Sequence, residues 1–173
     1  MNLIKRIAAG DKEALEKLYL LYKTKVFRVA LAILDDCFLA EDVVQETFIK
    51  IQQGAEAFHF KDSEGAWIMT IARNTAIDIL RKQRREIVHE EVEEMVDHAD
   101  TSASPIDQNE NEGFLELIRK LNESEQQIVS LHLIGELKHR EIARILDMNV
   151  SAVKKRYRRA IKKIEREMEE QHE

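Results

Sequence analysis

The residues from 137 to 168 constrain the fold more than any other stretch, because their pattern predicts a short helix, a tight turn and a long basic helix. Leu137 and Ile142 belong to an apolar face on the short helix. The helical period is then interrupted just before Asn149, whose side chain can accept a hydrogen bond from an otherwise unsatisfied backbone N–H of the next helix. A helix pair of this kind is a compact unit that must bury its apolar faces together.

The long basic helix separates its side chains by angle. At about 100° per residue, its apolar residues share one arc and its basic residues lie opposite. There are 11 Lys or Arg and 3 Asp or Glu between Lys138 and Arg166, and no acid between Val150 and Ile164. An ordinary solvated face mixes both signs. The pattern therefore favours a helix-turn-helix DNA reader over a solvated amphipathic helix. The apolar arc holds Val153, Tyr157, Ala160, Ile161, Ile164 and Met168.

The composition predicts an all-α protein. The chain has one Pro, five Gly and 35% charged residues, with many good helix formers. No run of about 18 apolar residues exists, and the first ten residues lack the apolar core of a signal peptide. A single cysteine, Cys37, excludes an internal disulfide and a multi-cysteine metal site, and is typical of a reducing compartment. We therefore expect a cytoplasmic protein with no membrane insertion.

The net charge of −6 is unevenly distributed along the chain. Residues 1–85 and 113–173 each carry +2, whereas residues 86–112 carry −10 and contain the only Pro. Low hydrophobicity with a high net charge cannot compensate the entropy of ordering a segment. The sequence thus predicts two small helical domains, 1–85 and 113–173, joined by an acidic flexible linker, 86–112. The acidic average does not argue against DNA binding.

Three long helices are predicted in the first domain, at Lys12 to Leu34, at 38–54 and at Ala66 to about Arg85. In the second domain, Asn122-Glu123-Ser124-Glu125 resembles a capping box. The predicted N-caps are Asp11, Ser63, Asn122 and Asn149.

No motif predicts catalysis or metal binding. Two Glu-x-x-His pairs, Glu86 with His89 and Glu136 with His139, have the spacing used in carboxylate-bridged metal bundles. One pair lies in the acidic segment and the other at the entry to the helix-turn-helix, so they cannot share one bundle core. No Gly-rich phosphate loop or G-x-S-x-G elbow occurs. We expect no catalytic residues, no cofactor, no metal and no enzymatic activity.

Four segments of the chain, 40–51 (AEDVVQETFIKI), 66–85, 121–146 and 150–164, form a recognisable set. Together they resemble the signature blocks of bacterial extracytoplasmic-function (ECF) RNA polymerase sigma factors. They occur in the family's order and spacing and cover nearly the whole chain. The resemblance implies a protein that binds core RNA polymerase, directs it to promoter DNA and helps to open the duplex. It also implies an anti-sigma factor as a partner and no small-molecule substrate.

The resemblance also implies residue roles in the first domain. The polymerase-binding set is Glu41, Asp42, Gln45, Glu46, Phe48 and Lys50. Reading of the −10 element would use a pocket for an unstacked base and cations for phosphates. The alternative for Phe58 and Phe60 is ordinary core packing. The −10 set is Phe58, Phe60, Lys61, Asp62, Ser63, Trp67, Arg73, Asn74, Arg81, Arg84 and Arg85.

The basic helix would read the −35 element in the major groove. Its N-terminal residues are expected to contact bases, and flanking cations to contact phosphates. Lys138 departs from the family, which usually has Ser or Thr as the cap at this position. The expected base contacts are Ser151, Lys154, Lys155 and Arg158, and the expected phosphate contacts are Arg140, Arg144, Arg156, Arg159 and Lys162.

Two other functions fit part of the sequence. A helix-turn-helix repressor or activator acting without core polymerase would explain the second domain but not the 40–51 helix. A protein-interaction module would use the basic helix to bind an acidic partner.

Overall fold

The computed structural model describes residues 2–59, 63–90 and 112–170, and the elements within them are helices joined by turns. This confirms the all-α prediction. The helices are α1 (Leu3–Ala8), α2 (Lys12–Leu34), α3 (Cys37–Gly54), a 3₁₀ turn (Ala55–Ala57), α4 (Glu64–Glu90), α5 (Glu112–Arg119), α6 (Glu123–Leu133), α7 (His139–Ile145) and α8 (Val150–Glu170).

The predicted N-caps begin their helices. The side chain of Asp11 accepts from the Ala14 N–H at 3.1 Å, Ser63 Oγ accepts from the Ala66 N–H at 3.0 Å, and Asn149 Oδ1 accepts from the Ala152 N–H at 2.7 Å. Asn122 and Glu125 form the predicted capping box. Because Ser63 is the cap, α4 begins at Glu64, two residues before the predicted start.

The first four helices enclose one part of the core. Leu18 and Val26 of α2, Val43 and Ile51 of α3, and Ile68 of α4 are all fully buried. Within α2 and within α3 the two named residues are eight positions apart, about two helical turns, so each pair lies on one core-facing side. Packing of α2, α3 and α4 against one another thereby fixes the outward face of α3 and of α4.

The last four helices form a second group. Val153 and Ala160 of α8 are fully buried, whereas Met168, predicted on the same arc, is 46% exposed. Lys163 Nζ reaches both carboxylate oxygens of Glu125, at 2.9 and 2.7 Å, and so joins α8 to α6. The Glu125 side chain is only 3% exposed.

The two groups share one hydrophobic core. Ile128 and Leu131 of α6 belong to the same buried cluster as the cores of α2, α3 and α4. Ala32 of α2 in turn packs into the cluster between α5, α6 and α8. The two groups of helices are thus in contact through α2 and α6, and the division into domains 1–85 and 113–173 stays a prediction.

Helix α4 continues through Ile87 and Val88 to Glu90 and so includes the first residues of the predicted linker, 86–112, whose apolar start left a short helix possible. Both apolar side chains are exposed there. Residues 91–111 lie outside the described residues. No helix within the described ranges is both long and apolar enough to cross a membrane.

Candidate nucleic-acid interface

The −35 candidates lie on the outward side of the helix-turn-helix. Helix α7 ends at Ile145, the chain turns through Asp147, whose φ is +51°, and α8 begins at Val150. The opposite side of α8 packs into the protein, so the basic side must face outward. Such a helix can enter the major groove, which is about 12 Å wide. The exposed candidates are Arg140, Arg144, Ser151, Lys154, Lys155, Arg158, Arg159 and Lys162.

Arg156 differs from these candidates because it points toward α6. Its Nη1 donates to Ser124 Oγ at 2.6 Å and lies 3.9 Å from Met148 Sδ. Lys163 points the same way, into Glu125. Both side chains therefore join α8 to α6, a contact that the sequence did not predict for Arg156, which is otherwise exposed like the other candidates.

An aromatic cluster supports α7 and α8 from within. His132 of α6 stacks on His139 with ring centroids 4.4 Å apart, and His139 meets Tyr157 of α8 edge-on at 5.0 Å. The Leu137 carbonyl oxygen lies 2.7 Å from His132 Nδ1. Burial, with the nearby His132, Lys154 and Arg158, lowers the pKa of His139. No sequence pattern predicted this cluster, because its members are 7 and 18 residues apart on three helices.

The −10 candidates on α4 divide into two groups. Asn74, Arg81 and Arg85 are exposed, and Asn74 Oδ1 accepts from Arg73 Nη1 at 3.1 Å. Arg73 and Arg84 instead reach the C-terminal group of helices.

Both of these arginines contact α6. Arg73 Nε donates to Gln127 Oε1 at 2.9 Å, and the Arg84 guanidinium pairs with the Glu123 carboxylate. Burial, with the nearby Arg81, lowers the pKa of Arg73. Two predicted DNA contacts are thus occupied by protein groups.

One aromatic residue of the base pocket predicted in the loop before α4 lies in the core instead. Phe58 is 4% exposed and lies against Trp67, with ring centroids 5.1 Å apart. Of the two possibilities left open for Phe58, the structure assigns it to the core. Ser63 is exposed and Trp67 half-buried. The predicted sites Phe60, Lys61 and Asp62 lie outside the described residues.

The outward face of α3 carries most of the predicted polymerase contacts. Asp42, Gln45 and Glu46 are exposed, whereas Glu41 is half-buried. Lys50 is half-buried too, and its Nζ donates to Thr75 Oγ1 at 3.0 Å and lies 3.4 Å from Glu46.

One residue of that set belongs to the core. Phe48 is 7% exposed and packs edge-on against Tyr19 with centroids 4.9 Å apart, so it cannot supply the apolar surface contact. Ile49 and Phe38 are apolar side chains of α3 that are exposed instead, at 49% and 59%. The sequence held a signal for this pair, since residues 38, 42, 45 and 49 recur at helical spacing on one face.

Comparison with known proteins identifies the two halves of the chain. Residues 18–86 match Sigma-70 region 2, and residues 112–164 match Sigma-70, region 4. The chain is 30% identical over 171 residues to the ECF RNA polymerase sigma factor BldN of Streptomyces coelicolor, which covers 96% of this chain and 64% of BldN. It is 27% identical over 169 residues to the ECF RNA polymerase sigma factor SigK of Mycobacterium tuberculosis, covering 94% of this chain and 89% of SigK.

Two solved structures share the fold. CnrH, in complex with the cytosolic domain of CnrY, is 20% identical with a TM-score of 0.70, covering 96% of this chain and 95% of CnrH. The sigma factor RpoE of Bartonella quintana, in complex with the anti-sigma factor NepR, is 19% identical with a TM-score of 0.75, covering 89% and 96%. With sigma-70 regions 2 and 4 following each other along the chain, and relatives that are ECF sigma factors, this chain belongs to the ECF group of the sigma-70 family.

Proposed function

We propose that this chain binds core RNA polymerase and directs promoter-specific initiation of transcription. The observation that carries the proposal is the joint occurrence of sigma-70 regions 2 and 4 on one chain, the second built around an outward basic helix. The polymerase performs the chemistry, and this chain acts as a non-catalytic initiation factor. Because it acts on chromosomal DNA, it works in the cytoplasm.

The basic face of α8 reads the −35 element in this proposal. Ser151, Lys154 and Lys155 lie near the helix start, the part that reaches base edges in helix-turn-helix proteins, and Arg158 lies one turn further. Each of these side chains is exposed. Phosphates are bound by Arg140, Arg144, Arg159 and Lys162, while Arg156 holds the reading helix in place.

The outward face of α4 reads and opens the −10 element. Asn74 offers an amide to a base edge, and Arg73, Arg81, Arg84 and Arg85 offer cations to phosphates. Promoter opening exposes single-stranded bases, which protein groups bind by stacking and edge hydrogen bonds. Phe60, Lys61, Asp62 and Ser63 stay in the proposal as the loop that would hold an unstacked base.

The outward face of α3 binds the polymerase. Acidic Asp42 and Glu46 beside exposed Ile49 and Phe38 suit a helix-against-helix interface with a charged rim, and they would repel DNA phosphates. An anti-sigma factor is a further partner, because the two sigma factors of similar fold were solved in complexes, one of them with a protein named as such.

Run-off transcription with core polymerase tests the function. Promoter-specific transcripts that appear only when the chain is added support the proposal. DNA binding without such transcripts supports a repressor or activator that acts without polymerase. No binding to either core polymerase or DNA leaves the protein-interaction module.

The face assignments need matched variants. Lys155→Ala is expected to weaken binding to DNA that carries the −35 element. The control is Arg166→Ala, because Arg166 lies on the same exposed side of α8 but about two turns beyond Arg158, the last residue expected to read bases. Ile49→Glu is expected to reduce binding to core polymerase without changing DNA affinity. Equal effects of Lys155→Ala and Arg166→Ala would contradict base reading at the helix start.

A further inference from the structure

A cleft between α2 and the α5–α6 pair is lined mainly by apolar side chains. Its volume is about 350 Å³, which lies within the usual range of small-molecule sites. None of its lining residues belongs to α4 or α8, so the cleft is separate from both faces proposed to read DNA. The apolar lining residues are Leu31, Phe114, Leu115, Leu133 and Ile134.

Arg28 of α2 also lines the cleft, and its charge has no partner within the described residues. Its Nε is buried and makes no hydrogen bond there, and no ion pair among those residues includes its guanidinium. Buried polar groups in folded proteins ordinarily have a hydrogen-bond partner, and an arginine side chain keeps its positive charge. Arg28 therefore brings an unused N–H donor and an uncompensated charge to the cleft.

The other two charges at the cleft cancel each other. Lys25 pairs with Glu136, and both residues line the cleft. One positive charge remains, which matches an anion of single charge better than a dianionic phosphate ester. Thr24 lies one helical turn before Arg28 and adds a hydroxyl group that can donate to the same anion.

The apolar walls set a second requirement for a ligand. A small hydrated anion would leave these walls in contact with water, whereas a hydrocarbon chain would cover them. A guanidinium group binds a carboxylate through two parallel N–H···O hydrogen bonds. The ligand class that satisfies both the single charge and the apolar walls is therefore a carboxylate attached to a hydrocarbon chain.

We propose that this cleft binds an amphiphilic monocarboxylate, the class to which medium-chain fatty acids belong. The carboxylate accepts hydrogen bonds from Arg28 and Thr24, and the hydrocarbon chain lies against Phe114, Leu115 and Ile134. The site is additional to the promoter and polymerase contacts and does not depend on them.

Isothermal titration calorimetry of the full chain tests the site with three probes at fixed pH and salt. Octanoate has both the charge and the chain, octanol lacks the charge, and acetate lacks the chain. Octanoate should bind with one-to-one stoichiometry and about tenfold or more tightly than either of the others, since hydrogen bonds to a charged group contribute about that factor.

Arg28→Met separates the charge from the apolar contacts of the same side chain. It should weaken octanoate binding about tenfold or more and leave octanol binding unchanged. The matched control is Lys17→Met, which removes one positive charge from an exposed position of α2 outside the cleft and should leave octanoate binding unchanged. The Tm of Arg28→Met without ligand should equal or exceed that of the wild type, because an uncompensated charge is removed.

A second pair of variants does not alter Arg28. Leu133 lines the cleft and is 46% exposed, so a polar side chain is accommodated there. Leu133→Glu supplies a carboxylate from the chain itself and should abolish octanoate binding, whereas Leu133→Gln, of the same size and without the charge, should retain it.

Three results would overturn the proposal. The first is equal octanoate affinity of the wild type and Arg28→Met, and the second is octanol binding as tight as octanoate binding. The third is an Arg28→Met variant that melts below the wild type, which would assign the guanidinium to stability of the fold. If Arg28→Met does not fold, equal octanoate affinities of Leu133→Glu and Leu133→Gln would still overturn it. Run-off transcription does not enter these measurements, so their failure is distinguishable from failure of the proposed function.

Discussion

The ion pair between buried Glu125 and partly exposed Lys163 allows a quantitative prediction about the stability of the C-terminal helices. The Glu125 side chain is 3% exposed, whereas the Lys163 side chain is 42% exposed. Removing the lysine leaves a buried carboxylate with one remaining hydrogen bond, from the Asn122 N–H at 3.3 Å. Removing the charge of the glutamate leaves a lysine that water can reach. The two substitutions should therefore lower the free energy of unfolding by different amounts.

The expected magnitudes follow from this asymmetry. Lys163→Met should lower the free energy of unfolding by about 3 kcal/mol, the usual cost of leaving a buried charge unpaired. Glu125→Gln keeps an acceptor for the Asn122 N–H and should cost about 1 kcal/mol. At about 2–4 °C per kcal/mol for a chain of this size, the Tm values should differ by about 4–8 °C.

Thermal and urea unfolding followed by circular dichroism would measure the difference. Lys120→Met removes a comparable lysine that pairs with Glu167 at the surface and should leave the midpoint unchanged within error. The double variant Glu125→Gln, Lys163→Met should be more stable than Lys163→Met alone, because the uncompensated charge is gone. Equal losses from the two single variants, or a larger loss from Glu125→Gln, would refute the reasoning.

Three further predictions concern the same half of the chain. Gly135→Ala should destabilise the fold by about 1–3 kcal/mol, because the new Cβ would lie 2.7 Å from the Leu131 carbonyl oxygen. The control Gly113→Ala should leave the stability unchanged, because its Cβ meets nothing within 4 Å. Thermal unfolding of both variants would measure the difference, and equal Tm values would contradict the prediction. Asn122→Ala should cost about 1 kcal/mol in urea unfolding through loss of the capping box, and no change would contradict that role. Because the folded pKa of His139 is lowered, the unfolded chain takes up the proton first, so its contribution is present above about pH 6.5 and is lost as pH falls through the folded pKa. The Tm of the wild type should drop more than that of His139→Phe between pH 7.5 and 5.5, and parallel curves would contradict it.

Most of the local structure could be predicted because its causes lie within a few residues. The caps at Asp11, Ser63, Asn122 and Asn149 need only a side chain and a backbone N–H three residues on, so the residue order suffices. The same holds for the basic side of α8, which follows from a period of 3.6 residues.

Burial of aromatic residues was harder to predict. Phe48 and Phe58 are both core residues, while the neighbouring Ile49 is exposed. A helix face becomes interior or surface only once a partner covers it, and residues at the edge of an apolar arc fall on either side. Phe48 was expected on the polymerase face because the family resemblance implied it, whereas the resemblance implied no role for Ile49.

From its own pattern, the sequence determined an all-α chain, its helix boundaries to within a few residues, its family resemblance and the charged side of its reading helix, since these depend on periodicity, capping and residue order. Only the tertiary structure decided that Ile128 and Leu131 join the core of the first four helices, and that Arg73 and Arg84 meet Gln127 and Glu123. Apolar side chains specify that a face will be buried but not what will bury it. The partner is chosen by shape and charge across residues that lie about forty or more positions apart in the chain.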